Sequence, residues 1–297
     1  MKLSQLRDIV AIAERGSLRA ASRQLGVAQP ALTRSVQDLE RQLGTVLFDR
    51  QSRGMVPTPA GSLFVGRARA VLADLRRAEE EIAQISGGTG GSVAVGLSAV
   101  PHFAILPKVL APFGRRYRDL SLNLIEGVYP TLEARLRDGS VDFYVGPSPE
   151  QAVHPDLLEE PLFYNNRVIL ARRGHPLADA RSLADLADAE WATTSVTLAT
   201  ERELHHLFVR QGMAPPRLRI RTQTALSLLI AVAYSDVLAL TPAQWTSFPL
   251  FAGVVVSLPI AEPLPPAKIV VVRRSGLTLT PAAEYLLDLI RKVRPEG

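Results

Sequence analysis

The sequence predicts an all-α N-terminal domain followed by an α/β domain of two lobes, in a chain of 297 residues. Apolar residues keep helical spacing from residue 3 to about residue 85, whereas from Ser92 onward short apolar runs alternate with helical segments. Four of the five residues at 87–91 are glycine, which is typical of a joint. The predicted units are a first domain over 1–58, a long helix with the glycine joint over 59–91, and an α/β domain over 92–297, in which lobe I takes in about 92–161 and 268–297 and lobe II about 162–267.

Charge is concentrated in the first unit. The chain has 34 Lys and Arg against 29 Asp and Glu. Residues 1–58 carry nine basic and five acidic side chains, so four of the five excess positive charges lie there. This excess favours a negatively charged partner for the N-terminal domain.

Composition also excludes several kinds of site and disfavours secretion and membrane insertion. The absence of cysteine excludes disulfides, thiolate zinc sites and a cysteine nucleophile. Arg7 and Asp8 interrupt the N-terminal apolar residues, so we expect no secretory signal and a cytoplasmic protein. The most apolar window, 225–240, contains Ser227, Ser235 and Asp236 and is shorter than the roughly 20 clean residues of a membrane span.

The N-terminal pattern predicts a helix-turn-helix. A first helix buries Leu6, Ile9, Val10 and Ala13 and ends at Gly16. Ser17 is the predicted N-cap of a second helix, which stops at Gly26, and a third helix begins around Pro30 and ends at Gly44. In this arrangement the second helix of the pair lies in the DNA major groove.

Two further features follow along the chain. Residues 47–50 and 55–57 flank a polar turn with glycine and predict a two-stranded wing. Thr58 then caps a helix over about 59–86 with a heptad seam. The seam residues predicted to pair with a second copy are Phe64, Ala68, Val71, Leu75, Ala78 and Ile82.

The last two-thirds predicts two α/β lobes. Strands at 93–97, 120–125 and 141–145 alternate with helices at about 102–117 and 131–137, which is a βαβαβ unit with a parallel sheet. Lobe II and the return to lobe I are predicted from six apolar runs, at 167–171, 191–195, 218–221, 237–240, 254–258 and 269–273.

Residues 6–61 resemble the DNA-binding domain of LysR-type transcriptional regulators. The resemblance lies in GSLRAAS, QPALTRSVQDLE, LGTVLFDR and TPAG, and the chain length and later lobes also fit. Ile9 stands where an aromatic residue is frequent, and Ala28 where Ser or Thr usually caps the recognition helix. Losing that cap costs about 0.5–2 kcal/mol locally, which Pro30 or a DNA phosphate can offset.

The resemblance implies a winged helix-turn-helix, a dimer through the linker helix, and an effector domain of two lobes similar to periplasmic solute-binding proteins. Implied partners are double-stranded promoter DNA, other copies of the chain in a dimer of dimers, and a small effector between the lobes, with RNA polymerase as a further partner. No cofactor, no catalytic residue and no membrane is expected. We expect the effector to be anionic, with aromatic carboxylates and sulfonates as one class, since residues 126–130 resemble regulators that respond to such acids.

Predicted DNA contacts lie at the start of the third helix and on the wing. Gln and Arg side chains there can pair with adenine and guanine edges, although a merely solvated face is the alternative. Arg50 fits either a phosphate contact or an ion pair within the domain. The predicted residues are Gln29, Pro30, Thr33, Arg34, Arg50 and Arg53.

Predicted effector contacts lie at the carboxyl ends of strands, where helix N-termini present unpaired N–H groups to an anion. A Ser or Thr at such a place can equally be an ordinary helix cap. The predicted residues are Ser98, Ala99, His102, Tyr129, Thr131, Gly146, Ser148, Thr193, Ser195, Thr197 and Thr222, together with their neighbours Thr194 and Thr224.

The sequence disfavours a metal site, an enzyme and two other kinds of binding protein. His205 and His206 are adjacent rather than four residues apart on a helix, so a metal site is not expected. The chain contains none of the G-x-S-x-G, P-loop, H-E-x-x-H or dinucleotide-binding patterns, which disfavours an enzyme. Two alternative functions remain. A transport receptor is disfavoured by the basic helix-turn-helix, and a nonspecific DNA-binding protein is disfavoured by the large second domain.

Overall fold

The computed structural model describes residues 1–51, 54–194, 199–246, 248–249, 251–276 and 278–293. It has a helical N-terminal domain with a β-hairpin, a long helix, and two α/β lobes. The helices are α1 (Leu3–Arg15), α2 (Leu18–Leu25), α3 (Gln29–Leu43), α4 (Pro59–Ile85), α5 (Ala99–Ala104), α6 (Leu106–Arg116), α7 (Tyr129–Arg137), α8 (Ala199–Val209), α9 (Ala225–Ala233) and α10 (Pro281–Lys292). The strands are β1 (Phe48–Gln51), β2 (Gly54–Pro57), β3 (Gly91–Leu97), β4 (Leu120–Glu126), β5 (Phe143–Pro147), β6 (Leu157–Asn165), β7 (Arg167–Arg172), β8 (Glu190–Thr194), β9 (Arg217–Thr222), β10 (Ala239–Pro242), β11 (Val255–Leu258) and β12 (Ala267–Arg274).

The N-terminal domain is a winged helix-turn-helix. Ser17 caps α2 by accepting a hydrogen bond from the Ala20 N–H at 3.2 Å, and α3 follows after a turn at Gly26. Ala28 gives α3 no side-chain cap, so Pro30 in its first turn is the remaining local start signal. Strands β1 and β2 pair antiparallel as the wing.

The wing is held against the turn between α1 and α2. Met55 N–H donates to the Gly16 carbonyl at 2.8 Å. At Gly54, which has φ of 137°, a Cβ atom would lie 2.1 Å from that same carbonyl oxygen. Only glycine allows this approach, which fixes the wing relative to the helices.

Helix α4 has 27 residues and is about 40 Å long at 1.5 Å per residue. Thr58 caps it, accepting from the Gly61 N–H at 2.9 Å. Its first turns belong to the N-terminal core, where Val65 and Ala68 are buried. The rest of α4 extends towards lobe I.

Lobe I is a five-stranded sheet in the order β4-β3-β5-β12-β6. Strands β3, β4 and β5 are parallel, and β12 runs antiparallel to both β5 and β6. Helices α5, α6 and α10 cover one face, and α7 covers the other. The carboxyl ends of the parallel strands therefore meet at one edge of the sheet.

Lobe II has an antiparallel sheet in the order β10-β7-β11 and a parallel pair, β8 and β9. A bridge between Trp191 and Leu238 joins the two sheets. Helix α8 packs on one side with Trp191 and Phe208, and α9 packs on the other. Two lobes with cores of their own confirm the predicted architecture.

Two features of lobe I differ from the sequence prediction. Strand β6 was not predicted, and because it belongs to the lobe I sheet the chain crosses to lobe II after Asn165, not at 161/162. Its Pro161 is tolerated because β6 is an edge strand. The helix predicted at about 102–117 is divided into α5 and α6 at Ile105, since Pro107 cannot continue the helix without a clash with the carbonyl four residues earlier.

Among the helices of the described residues, none combines the length and the apolarity that crossing a membrane requires.

Candidate functional site

The outward face of α3 carries the predicted base-reading residues. Leu32, Val36 and Leu39 are buried in the domain core, and the opposite face carries Gln29, Pro30, Thr33 and Arg34. Gln29, Pro30 and Arg34 are exposed, and the Thr33 hydroxyl donates to the Gln29 carbonyl at 3.2 Å. No ion pair joins Arg34 to another of the described residues, so its guanidinium is available to a partner.

On the wing, Arg50 lies exposed on β1, and no other residue that the structure describes forms an ion pair with it. This placement favours a contact outside the domain over an internal pair. Arg53 lies outside the described residues.

The predicted heptad seam on α4 divides into two parts. Phe64 and Ala68 pack within their own N-terminal domain. Val71, Leu75 and Ile82 are exposed in the single chain, Ile82 to 69%, and Ala78 is also exposed. An apolar stripe on the second half of α4 is therefore uncovered within one copy.

The opposite side of α4 is anchored to lobe I by a buried ion pair. The Arg77 guanidinium donates to Asp142 Oδ1 at 3.0 Å and to the Gly139 carbonyl at 2.9 Å. Asp142 Oδ2 in turn accepts from the Ala94 N–H of β3 at 2.8 Å. Burial lowers the pKa of Arg77, and the Asp142 carboxylate opposes that effect.

A second polar contact holds the end of α4. The Gln84 amide donates to the Gly90 carbonyl at 3.1 Å and accepts from the Ala282 N–H at 2.9 Å. The glycine-rich segment is thus clamped between α4 and lobe I, although it was predicted as a flexible joint.

A cavity of about 710 Å³ lies between the lobes, at the carboxyl edge of the lobe I sheet. It is bounded by the ends of β3, β4 and β5, by α8 and α9 of lobe II, and by the segments that cross between the lobes. Solute-binding α/β folds hold ligands at such an edge.

Five predicted effector residues line this cavity. They are Ser98, Ala99, Tyr129, Thr131 and Ser148, and their neighbours Thr194 and Thr224 also line it. Burial raises the pKa of the Tyr129 phenol, so it stays protonated at neutral pH.

Four other predicted residues, His102, Gly146, Thr193 and Thr222, are not among those that line the cavity. The His102 Nδ1 atom is 2.8 Å from the Ser98 carbonyl oxygen, so the ring supports the start of α5. At Gly146 a Cβ atom would lie 2.1 Å from the Tyr144 hydroxyl. The Thr193 and Thr222 hydroxyls donate to the Thr194 and Thr193 carbonyls. Ser195 and Thr197 lie outside the described residues.

The structure adds three floor residues that the sequence did not indicate. Asn165 ends β6, Thr241 lies on β10 and Trp245 follows β10, and all three line the cavity at no more than 2% exposure. Asn165 Oδ1, Thr241 Oγ1 and Trp245 Nε1 have no hydrogen-bond partner among the described residues. Buried polar atoms are normally satisfied, so these three are available to a bound molecule or to water.

The charge of the cavity wall is mainly negative. Within the described ranges its charged side chains are Glu126, Glu133, Glu150, Glu203 and Arg167. The Arg167 guanidinium is already bound by both carboxylate oxygens of Glu203, at 2.6 and 3.0 Å. Glu150 is paired with Arg202.

Glu126 joins the two lobes. It ends β4 of lobe I, and its Oε1 accepts from the Ala225 N–H at the start of α9 in lobe II, at 3.4 Å. A carboxylate of the protein therefore already occupies the positive end of the α9 dipole.

Aromatic packing also joins the lobes. Phe103 of α5 contacts Trp245 and Phe248 of lobe II, with ring centroids 5.4 and 4.9 Å apart. These contacts set the spacing of the lobes beside the cavity floor.

No group of His, Asp and Glu side chains within the described residues could hold a metal ion.

Comparison with known families identifies the chain. Residues 3–62 match the model described as bacterial regulatory helix-turn-helix protein, lysR family, and residues 86–295 match the LysR substrate binding domain. The chain belongs to the LysR family of transcriptional regulators. The SDS degradation transcriptional activation protein of Pseudomonas sp. (strain ATCC 19151) is 32% identical over 294 residues, which cover 97% of this chain and 95% of that protein.

Solved LysR-type structures have a similar fold. Full-length OxyR from Pseudomonas aeruginosa has a TM-score of 0.74 at 24% identity, over 99% of this chain and 95% of that chain. Full-length CbnR complexed with its target DNA has a TM-score of 0.70 at 22% identity, over 98% and 99% of the two chains. The protein is thus a LysR-type DNA-binding transcriptional regulator with an effector-binding domain, and not an enzyme.

Proposed function

We propose that this LysR-type regulator works in the cytoplasm, binds a specific site in double-stranded promoter DNA, and responds to a small effector in the cavity between the lobes. We assign base reading to the exposed residues at the start of α3, and we assign to Arg50 a contact with the phosphate backbone of the DNA. Where it activates transcription, RNA polymerase is a further partner.

The observation that carries the proposal is the path from the cavity to α4. Strand β3 ends next to Ser98 in the cavity wall. In its middle, the Ala94 N–H is bound to Asp142, which also holds Arg77 of α4. A ligand that changes the position of β3 or the lobes would therefore act on the helix that leads to the DNA-binding domain.

Assembly is proposed through α4. Its exposed Val71, Leu75 and Ile82 would be covered by the same stripe of a second copy. Two such dimers would form a dimer of dimers, which places two pairs of DNA-binding domains on one promoter.

For the effector we propose a small molecule with a carboxylate or sulfonate group, with aromatic acids as one class. Support comes from the Trp245 N–H, which is buried without a partner among the described residues, and from Ser98 in the cavity wall. Thr131 and Ser148 also line the wall, but their hydroxyls already donate to the Val128 carbonyl and to Glu159. The Trp245 ring, which lines the cavity and packs against Phe103, offers an apolar surface that suits an aromatic or aliphatic body.

Two assays test the proposal. Salt-titrated binding to selected and random duplexes separates a regulator, which prefers one site, from a nonspecific binder with equal affinities and from a transport receptor with none. A thermal-shift screen of carboxylates, aromatic acids and sulfonates tests the effector, since a ligand at 100 times its Kd stabilises the protein by about 2.7 kcal/mol. We expect the shift to disappear in Ser98→Ala protein if the ligand lies in this cavity.

A further inference from the structure

We infer that the effector is amphoteric: it carries a protonated amine as well as its acidic group, as an amino acid does. This inference rests on the proposed function, because it describes the ligand of the same cavity, and it narrows the acid proposed there.

The first argument is charge. Four glutamates and one arginine line the described part of the cavity, and that arginine, Arg167, is held by both oxygens of Glu203. A ligand with only negative charge would therefore meet repulsion from the wall without a cation to balance it. An ammonium group reverses the sign of that interaction.

The second argument concerns which glutamates are free to bind. Glu150 is paired with Arg202, and Glu203 with Arg167. Glu133 is 3.8 Å from Arg137 within the same helix and also interacts with the Tyr129 hydroxyl, and Glu126 makes one long hydrogen bond, to the Ala225 N–H. Unlike Glu150 and Glu203, neither Glu126 nor Glu133 is held by a close ion pair, so an ammonium can donate to both.

The third argument is the cavity floor. The Trp245 N–H can only donate, and the Asn165 side-chain oxygen can only accept, and neither has a partner among the described residues. The Asn165 amide nitrogen already donates to the Asn166 carbonyl at 2.9 Å. Both side chains are about 98% buried, with Thr241 beside them as a donor or acceptor. A simple acid leaves the Asn165 oxygen unpaired and a simple amine leaves the Trp245 N–H unpaired, whereas an amino acid supplies both an acceptor and donors.

Matched ligands test the inference on the full-length protein. Each L-amino acid is compared with the same skeleton lacking the amine or lacking the carboxylate, as in L-phenylalanine, 3-phenylpropanoate and phenethylamine. D-glucose serves as a neutral ligand rich in hydroxyl groups. Thermal shift selects the skeleton and calorimetry measures Kd, and we expect removal of the amine to weaken binding about tenfold to a hundredfold.

A variant adds a readout that a purely structural role would not change. In Glu133→Gln protein we expect weaker binding of the amino acid, because the attraction between the carboxylate and the ammonium is lost. We expect tighter binding of the acid that lacks the amine, because the repulsion between the two carboxylates is lost. Glu150→Gln is the matched control, since that carboxylate is paired with Arg202, and it should change the two affinities little and in the same direction.

The outcomes distinguish the inference from the function beneath it. If acids without an amine bind as well as the amino acids, the inference is overturned and the proposed acidic effector stands. If only amines or only glucose bind, both the inference and the acidic effector are overturned. If no compound raises the melting temperature, water alone satisfies the polar atoms of the cavity floor, and both the inference and the proposed acidic effector are overturned. Site-specific DNA binding is judged separately by the duplex assay.

Discussion

Removing the Asp142 carboxylate should weaken the attachment of α4 to lobe I and destabilise the protein strongly. In Asp142→Ala protein the Arg77 guanidinium, 8% exposed, loses its buried partner, and the Ala94 N–H loses its acceptor. Breaking a buried pair from one side costs about 3–5 kcal/mol, and the lower end, about 3 kcal/mol, applies because Asp74 and the Gly139 carbonyl still contact Arg77.

That loss corresponds to a fall in Tm of about 6–12 °C for a domain of this size, measured by scanning calorimetry, with denaturant unfolding as a second readout. Asp38→Ala is the control: its ion pair with Arg41 at 3.3 Å is exposed, so removing it should cost less than about 1 kcal/mol. An apolar replacement of both partners, Asp142→Leu with Arg77→Met, should recover part of the loss, since the unpaired buried charge is gone while the Ala94 N–H still lacks its acceptor. If Asp142→Ala lowers Tm no more than Asp38→Ala does, the buried pair is not the anchor of α4.

Three further predictions concern DNA reading, assembly and acid stability. Arg34→Ala should weaken binding to the selected site more than to random duplex, by about 1–3 kcal/mol of discrimination in a fluorescence anisotropy titration; equal losses on both duplexes would remove it from base reading. Val71→Asn with Leu75→Asn should give monomers in sedimentation velocity, and a dimer unaffected by both would contradict the α4 interface. Hydrogen bonds from Arg291 hold the pKa of Glu160 below its ordinary 4.5, so this carboxylate stabilises the folded chain at neutral pH and that stabilisation is lost as pH falls through the lowered pKa. Glu160→Gln should therefore reduce the drop in Tm between about pH 5 and pH 3. An unchanged dependence of Tm on pH would count against a stabilising role for the Glu160–Arg291 ion pair.

Elements with local signals could be predicted from the sequence. Gly16, Gly26 and Gly44 end α1, α2 and α3 with φ of 66–67°, and Ser17 and Thr58 cap the helices that follow. These residues act within one turn of their own element, so no distant contact is needed to interpret them.

Elements that depend on distant partners could not be predicted. Strand β6 contains Glu159, Glu160 and Pro161, which give no alternating pattern, and it forms only because β12 offers a free edge. The same holds for Arg77, whose guanidinium is buried against Asp142, a residue 65 positions later in the chain.

The candidate site shows the same division. Ser98, Tyr129 and Thr131 could be located because they follow predicted strands. Asn165 and Trp245 are 80 positions apart and come together only where the chain crosses between the lobes and β10 pairs with β7. The charge of the cavity wall was missed for this reason, since its glutamates come from β4, α7, the segment after β5, and α8.

Selection of binding sites from fragments of the source genome by the purified full-length protein tests the central claim most directly. The account predicts one enriched motif, with affinity at physiological salt at least about 10³ times that for random duplex. Fragments recovered without a common motif, or equal affinity for selected and random duplexes at every salt concentration, would contradict a site-specific regulator.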